Sequence, residues 1–228
     1  MEDVKTAEAI ADCRFELDNG RRRYILVGMA RMRDPEHTRK ALLEAAFAEM
    51  RRRGFQAAGL SDILAAAGMT KGALYHHFAD KHALGYAVLE ELIAEHVRDE
   101  WVTPLAECHD PIDRLAEIIN RTAAALDDED IALGDPLHGL AAEMAPLDEG
   151  FRTRINDLYM EWYQAIAMAL VRGQAAGRVR PEVEPASTAI FIVGSIAGAR
   201  TMAKHAQSRD VLLTACHALL DYLETLRA

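Results

Sequence analysis

The feature that most constrains the fold is a helical repeat of apolar residues that glycine interrupts at short intervals. One helix face is marked, at the spacing i, i+3, i+4, i+7, by Leu43, Ala46, Phe47 and Met50. Gly54 then stands where a glycine commonly ends a helix. No alternation of Val, Ile and Thr recurs at the regular spacing that a sheet needs. Because half of the 228 residues are hydrophobic, the chain can bury a core, and we predict an all-α fold.

A helix-turn-helix is predicted between residues 60 and 80. Leu60 to Ala67 form a short helix that Gly68 closes, and the side-chain oxygen of Thr70 is placed to cap a second short helix. Residues 67–69 therefore form a tight turn between two helices. This is the arrangement by which many DNA-binding domains place a recognition helix in the major groove.

The second of these helices is expected to direct polar and aromatic groups outward. Leu74 and Phe78 lie four residues apart and form its buried stripe. The residues expected to face away from the small core are Lys71, Gly72, Tyr75 and His76. A glycine early in a helix costs about 1 kcal/mol relative to alanine. This cost makes sense where the backbone has to approach another surface closely, and DNA is one such surface.

Charge is distributed unevenly along a chain whose formal net charge is −10. Residues 31–89 contain nine Lys or Arg against six Asp or Glu, whereas residues 90–228 contain 12 against 24. In a protein that binds nucleic acid, only the surface that contacts the nucleic acid needs a positive potential, and the rest can be acidic. The distribution is therefore what a DNA reader attached to an acidic regulatory or dimerising body would show, although a solvated charge distribution without function gives the same counts.

The rest of the chain reads as further helices. Asp80 caps a fourth helix that begins at Lys81 and is expected to end at Pro104, a rod of roughly 33 Å. Helices are predicted over residues 112–126, 137–144, 148–176, 186–207 and 209–226, and residues 127–130 are predicted to be an acidic loop. Residues 1–34 are predicted to be a disordered extension or the product of a mis-annotated start, although Asn19-Gly20 favours a hairpin and Arg21 to Arg23 a minor-groove arm.

Several other functions lack their sequence signatures. No Gly-Lys-Ser or Gly-Lys-Thr is present for a phosphate loop, and His76, His77 and His82 lack the i, i+4 spacing of a metal site. The segment Gly194-Ser195 has the wrong spacing for a nucleophile elbow, so we expect neither enzyme activity nor a cofactor.

Three distant cysteines fit a reducing cytoplasm, and Cys108 reads as a small core residue rather than a sensor. We predict no signal peptide and no membrane span, because the longest uncharged run, residues 185–199, is shorter than the about 20 residues that a span needs.

Residues 68–84, GMTKGALYHHFADKHAL, together with Ser61-Asp62-Ile63, resemble the DNA-binding segment of the tetracycline-repressor (TetR) family. Looser similarity to the regulatory domain of one branch of that family extends over residues 134–152. The resemblance implies a helical homodimer whose residues 35–80 form a three-helix DNA-binding domain. Residues 81–228 would then form the ligand-binding and dimerisation domain, and the last two helices of each subunit the interface. It implies no membrane association.

The resemblance also implies roles for individual residues. Thr70 corresponds to the cap of the recognition helix, and the first turn of that helix, closest to the bases, corresponds to Lys71, Gly72 and Ala73. Contacts to bases or phosphates are implied for Tyr75, His76 and His77, and contacts to the DNA backbone for Thr38, Arg39 and Lys81. Two departures weaken the match. Ala73 stands where a polar residue is frequent, and Ala58-Gly59 replaces the hydroxyl cap of the second helix.

The function that the resemblance implies is a bacterial, cytoplasmic regulator, located on the nucleoid when bound to DNA. It is expected to repress transcription at a palindromic operator until a small molecule releases it. From aromatic and methionine content we expect the small molecule to bind near Trp101, Met144, Tyr159, Trp162 and Tyr163. The alternative is a helical dimer that binds a small molecule and carries a vestigial DNA-binding headpiece, because Ala73 and the weakened second cap are compatible with decay.

Overall fold

The structure, a computed structural model, describes residues 14–18, 21–25 and 35–228. Two short antiparallel strands, β1 (Arg14–Asp18) and β2 (Arg21–Ile25), pair with Arg14 opposite Ile25 and Asp18 opposite Arg21. The structure therefore has two paired strands in ten residues for which we predict disorder, and the residues of the predicted minor-groove arm, Arg21 to Arg23, lie in β2. Residues 1–13, 19, 20 and 26–34, which include the predicted Asn19-Gly20 turn, lie outside the described residues.

Three helices form the N-terminal module, here called the headpiece: α1 (Pro35–Arg53), α2 (Leu60–Ala67) and α3 (Lys71–His77). Gly54 and Gly68 have φ angles of 83° and 64°, the left-handed backbone that lets a glycine end a helix. Leu42, Ile63 and Leu74, one from each helix, are almost completely buried together. The predicted helix-turn-helix is present with the predicted helix boundaries.

A long helical rod follows the headpiece, and the helices after the rod are here called the body. The rod consists of α4 (Lys81–Ala87), α5 (Ala94–Val97) and α6 (Thr103–Ala106), which are separated by π-helical segments at Val88–Ile93 and Arg98–Val102. The prediction that Pro104 ends this helix is wrong, because Pro104 lies within α6. Proline has no N–H to donate to the carbonyl of Glu100, four residues earlier. A π-helical segment does not need that bond, and the Glu100 oxygen instead lies 3.4 Å from Nη2 of Arg121.

The body contains six helices: α7 (Pro111–Ala125), α8 (Asp128–Leu133), α9 (Pro136–Met144), α10 (Glu149–Ala175), α11 (Pro185–Ala206) and α12 (Arg209–Glu224). The predicted acidic loop at residues 127–130 is wrong, since these residues begin α8. Asp127 accepts from the backbone N–H of Asp130, and the Asp130 carboxylate accepts from that of Asp127. This capping box satisfies free N–H groups, and acidic residues also stabilise a helix N-terminus.

One apolar core runs through both parts of the molecule. It extends from Leu42 and Ile63 in the headpiece, through Leu89 in the rod, to Ile166 and Leu223 in the body. The all-α prediction is confirmed for residues 35–228. Among the described helices, only α11 is long and apolar enough by composition to cross a membrane, a test that the core helices of soluble proteins also pass. α11 packs against α10 and α12, and 39% of its most apolar 18-residue window is buried.

Candidate DNA-binding surface and ligand cavity

The recognition helix α3 is held in place by caps at both ends. Oγ1 of Thr70 accepts from the backbone N–H of Ala73 at 3.3 Å, as the sequence predicted. At the other end the N–H of Phe78 donates to Leu74 at 2.8 Å. The carboxylate of Asp80 then caps α4 by accepting from Ala83 at 2.8 Å. The two turns of α3 therefore begin at one side-chain cap, Thr70, and are followed closely by another, Asp80, which begins α4.

The outward face of α3 carries the residues predicted for it. Tyr75 is 55% exposed although it is a large aromatic residue, and Lys71, Gly72 and His76 are also exposed. Ala73 and His77 are half-buried, while Leu74 and Phe78 are buried beneath the helix. The side chains predicted to face outward are thus exposed, and the predicted buried stripe is buried.

Gly72 has no packing reason within the described chain. A Cβ built at this position would meet only Oγ1 of Thr70, at 3.9 Å, so alanine would fit. Alanine would also stabilise the helix by about 1 kcal/mol. Nothing within the described chain therefore requires a glycine at this position.

The three predicted phosphate contacts on α1 and α4 are engaged within the protein. Thr38 is only 7% exposed, and its burial argues against a contact between its side chain and a phosphate. The guanidinium of Arg39 pairs with both carboxylate oxygens of Glu91. Nζ of Lys81 donates to the carbonyl of Gln56 at 3.0 Å and lies 4.7 Å from the ring centroid of Phe55.

Two polar contacts join the headpiece to the body. The carboxylate of Glu143, on α9, accepts from the backbone N–H groups of Phe55 and Gln56 at 2.7 and 2.9 Å. Nη2 of Arg51, in the last turn of α1, donates to the carboxylate of Asp130 on α8 at 2.9 Å. The sequence does not predict either contact, because nothing in a sequence indicates which distant carboxylate an arginine or a backbone N–H meets.

A cavity of about 500 Å³ lies where the headpiece, the rod and the body meet. Its apolar wall includes Phe47, Leu92, Val97, Trp101, Ile119, Leu126, Leu137, Trp162, Ile196, Leu212 and Leu219. Its polar lining comprises Glu44, Arg51, His96, Glu100, Thr122, Asp130, Asp135, Arg200 and Cys216. A cavity of this volume, mostly apolar with a few polar groups, is typical of a small-molecule site.

Two of the five predicted ligand-binding residues line this cavity. Trp101 and Trp162 face each other across 5.1 Å between ring centroids. The lining of this cavity does not include Met144, which is buried, or Tyr159 and Tyr163. Tyr159 instead packs against Trp162 and Tyr163 along α10, and burial raises the pKa of its phenol. The prediction of these five residues rests on side-chain type alone, which does not indicate which face of a helix meets the cavity.

Sequence reasoning missed a polar group on the rod side of the cavity. His96 and Glu100 lie one turn apart, with Nε2 of His96 3.2 Å from the Glu100 carboxylate, which also accepts from Oγ1 of Thr122 at 2.6 Å. Burial opposes ionisation of Glu100, but the hydrogen bonds from His96 and Thr122 outweigh it and lower its pKa. The i, i+4 spacing of His96 and Glu100 was the available signal.

Other candidate sites find no support in the described part of the chain. Within residues 14–18, 21–25 and 35–228, no group of three or more His, Cys, Asp or Glu side chains is arranged to hold a metal ion. The Cys108 thiol is half-buried and lies 3.3 Å from the carbonyl oxygen of Leu105, which fits the predicted packing role.

Comparison with known proteins gives two matching family models. The model described as "Bacterial regulatory proteins, tetR family" matches residues 42–88, which contain the recognition helix. A second, described as "Transcriptional regulator LmrA/YxaF-like, C-terminal domain", matches residues 111–218. Together the two matches span more than half of the chain.

Individual relatives agree with these matches. The chain is 28% identical over 174 residues to the HTH-type transcriptional repressor DhaR of Mycobacterium sp. strain GP1, a match that covers 76% of this chain and 86% of DhaR. A TetR transcriptional regulator from Chloroflexus aurantiacus has a similar crystal structure, with a TM-score of 0.75 and 27% identity over 86% of this chain and 98% of the other. The reduced form of Escherichia coli NemR gives a TM-score of 0.71 at 26% identity, over 84% and 97% of the two chains.

Proposed function

Because the chain belongs to the tetracycline-repressor family, whose members are transcriptional regulators and not enzymes, we propose that it is a ligand-released repressor that binds a palindromic operator as a homodimer. We place it in the bacterial cytoplasm, on the nucleoid when it is bound to its operator. The observation that carries the proposal is the outward face of α3, where Lys71, Gly72 and Tyr75 are exposed at the end of a rigid, capped module.

In this proposal α3 enters the major groove. Its first turn, Thr70 to Ala73, lies nearest the bases, with Ala73 offering an apolar contact such as one to a thymine methyl. Tyr75, His76 and His77 contact bases or phosphates. Arg39 and Lys81 reach phosphates by exchanging their present partners, Glu91 and the Gln56 carbonyl, for DNA oxygens.

The dimer is proposed to form through the outer faces of α11 and α12. Large apolar side chains are exposed along α11 at Ile190, Phe191 and Met202, each more than half accessible. Added Cβ atoms at Gly194 and Gly198 would meet nothing within 4 Å, so this face leaves room for a second helix to approach closely. A two-fold pair of copies presents two recognition helices, which successive major grooves accept at about 34–36 Å.

Release follows from the position of the cavity. Its wall includes Phe47 and Arg51 of α1 and Trp101 of the rod, so a bound molecule touches the two elements that hold the headpiece. If the ligand and the operator favour different orientations of the headpiece, each weakens binding of the other by the same factor. The cavity ligand would therefore release DNA without touching α3.

The second candidate is a dimer that binds a small molecule but has lost DNA binding. The observation in its favour is Gly59, which begins α2 without a side-chain cap. Against it stands the intact cap at Thr70 and the exposed, unpacked face of α3.

Gel retention of the DNA that flanks the protein's own gene separates the two candidates. We expect Lys71→Ala and Tyr75→Ala to abolish sequence-specific retention while the dimer stays intact, because each removes a group of α3 that meets DNA. Arg178→Ala, which removes a positive charge from the body, is the matched control and should retain DNA like the wild type. Wild-type retention by both α3 variants would show that α3 is not the reading surface. Absence of specific retention by the wild-type protein would favour the vestigial headpiece.

A further inference from the structure

The cavity wall contains three buried N–H donors that have no hydrogen-bond partner within the described part of the chain. They are Nε of Arg51, Nε of Arg200 and Nε1 of Trp162, whose side chains all line the same cavity. Trp162 is only 4% exposed. Buried polar groups are nearly always paired, because an unpaired donor loses its hydration without compensation. Three unpaired donors around one cavity therefore indicate what the cavity receives.

Three of the four carboxylates of the same wall already accept hydrogen bonds. Asp130 accepts from Arg51 at 2.9 Å, and Glu100 from Thr122 at 2.6 Å. Asp135 accepts from the backbone N–H of His138 at 2.7 Å, as the cap of α9. These three carboxylates thus have partners, whereas the three buried N–H donors need an acceptor, which a ligand can supply.

The charges of the wall decide between a neutral and an anionic acceptor. Glu44, Glu100, Asp130 and Asp135 place four carboxylates around the cavity, against two arginines and His96. A ligand carboxylate would enter a wall in which negative groups outnumber the arginines, whereas a neutral carbonyl accepts from the same N–H groups without that repulsion. An ammonium group would find carboxylates in this wall but would leave the three buried N–H donors without an acceptor.

We propose, on the basis of the repressor function above, that the cavity binds a neutral, largely apolar small molecule that presents carbonyl-type oxygens to Arg51, Arg200 and Trp162. The apolar body of this molecule packs on the two tryptophans and the leucine and isoleucine side chains of the wall. Because Arg51 belongs to α1 and already binds Asp130 through Nη2, a ligand oxygen that accepts from its Nε binds directly to the contact between headpiece and body. The ligand thereby acts on the headpiece directly as well as through the rod.

Calorimetric titration of the full-length protein with four matched naphthalenes tests the proposal: ethylnaphthalene, acetylnaphthalene, naphthoate and naphthylethylammonium. Their ring is the same, and only the group that meets the donors changes. We expect acetylnaphthalene to bind at least about tenfold more tightly than each of the others, a difference of about 1.4 kcal/mol. Equal binding of the ketone and the hydrocarbon, tightest binding of naphthoate or the ammonium compound, or no binding by any of the four would each overturn the proposal.

Three conservative variants locate the donors. Arg51→Lys and Arg200→Lys keep a positive charge but lack Nε, and Trp162→Phe keeps an aromatic ring but lacks the indole N–H. At least one of them should reduce the preference for the ketone over the hydrocarbon to below about threefold, because affinity for the ketone falls more than affinity for the hydrocarbon. Arg114→Lys is the matched control, because Arg114 pairs with Glu117 and lies outside the cavity lining. An undiminished preference in all three variants would overturn the assignment.

The test is independent of DNA binding. A preference for the ketone in a protein that retains no operator would remove the repressor function and leave the ligand class standing. Specific DNA binding with no preference for the ketone would overturn the ligand class and leave the repressor function standing.

Discussion

At the residue scale, one carboxylate fixes the loop between α1 and α2 to the body. Glu143 accepts from two consecutive backbone N–H groups, those of Phe55 and Gln56. Gly54, just before them, adopts a φ of 83° and brings its backbone so close that a Cβ would lie 2.7 Å from Oε2 of Glu143. The loop conformation and the carboxylate thus depend on each other.

Glu143→Ala should therefore lower the free energy of unfolding by about 1–3 kcal/mol, because it leaves the half-buried N–H of Phe55 without its acceptor. Glu143→Gln keeps one carbonyl oxygen as an acceptor, so its free energy of unfolding should lie between those of Glu143→Ala and the wild type. Urea denaturation followed by circular dichroism measures the change. The control is Glu149→Ala, an exposed carboxylate paired only with Arg152, which should change stability by less than about 0.5 kcal/mol. Equal effects of the two alanine variants would contradict the role of Glu143.

The pair His96 and Glu100 predicts a pH dependence. The hydrogen bond to Glu100 raises the pKa of His96, although burial acts in the opposite direction. The pair therefore stabilises the folded state fully below the unfolded-state pKa of about 6.5 and loses this contribution as pH rises through the higher folded-state value. Because the His96 side chain is 65% exposed, solvent screens the pair and the effect is small.

Thermal unfolding of the wild type and of His96→Gln across about pH 5.5 to 8.5 measures this contribution. The wild type should lose more stability than the variant as pH rises through that window. Parallel curves, or a wild type that gains stability relative to the variant, would contradict the ion pair.

At the scale of elements, sequence reasoning succeeded where a local signal sets the structure. Helix ends at Gly54, Gly68, Thr70 and Asp80 follow from φ preferences and side-chain caps within four residues, and the structure agrees at each. It failed at residues 127–130, where the local capping box of Asp127 and Asp130 begins a helix instead of the predicted loop, and in the rod, where distant contacts decide. The π-helical segments of the rod and the continuation through Pro104 depend on packing against α7 and α10, which no local pattern encodes.

Gly85 in α4 shows such a distant constraint. A Cβ at this position would lie 2.5 Å from Cε2 of Phe55 and 2.8 Å from Cζ of Phe151, two rings that join the headpiece to α10. Gly85→Ala should therefore destabilise the protein by about 1–3 kcal/mol in spite of the better helix propensity of alanine. Gly139→Ala, in α9, is the matched control. Nothing lies within 4 Å of its added Cβ, so stability should be equal or higher by up to about 1 kcal/mol. Denaturant melts that rank the two variants the other way would contradict the packing argument.

At the scale of the whole molecule, the proposed pairing of two copies would present two recognition helices to one operator. The family resemblance implies an interface through the last two helices, and the structure leaves Ile190 and Phe191 exposed on α11. The sequence did not indicate the cavity, because Arg51, His96, Asp130 and Arg200 are brought together only by the fold.

Phe191→Glu should convert the dimer to a monomer, since a buried unpaired charge at a helical interface is strongly unfavourable. Light scattering coupled to size exclusion gives the mass directly. Leu147→Glu, at an exposed apolar residue between α9 and α10, is the control and should remain dimeric. Dimers of equal stability in both variants would place the interface elsewhere.

The measurement that tests the account most directly is a nuclease footprint on the DNA that flanks the protein's own gene, repeated across a salt titration. The account predicts two protected half-sites related by a palindrome, with centres about 10 base pairs apart, and an affinity that falls steeply as salt rises. It also predicts no protection by Tyr75→Ala dimers at the same concentration. A single half-site, an affinity that does not depend on salt, or full protection by Tyr75→Ala would contradict the claim that two copies of α3 read successive major grooves.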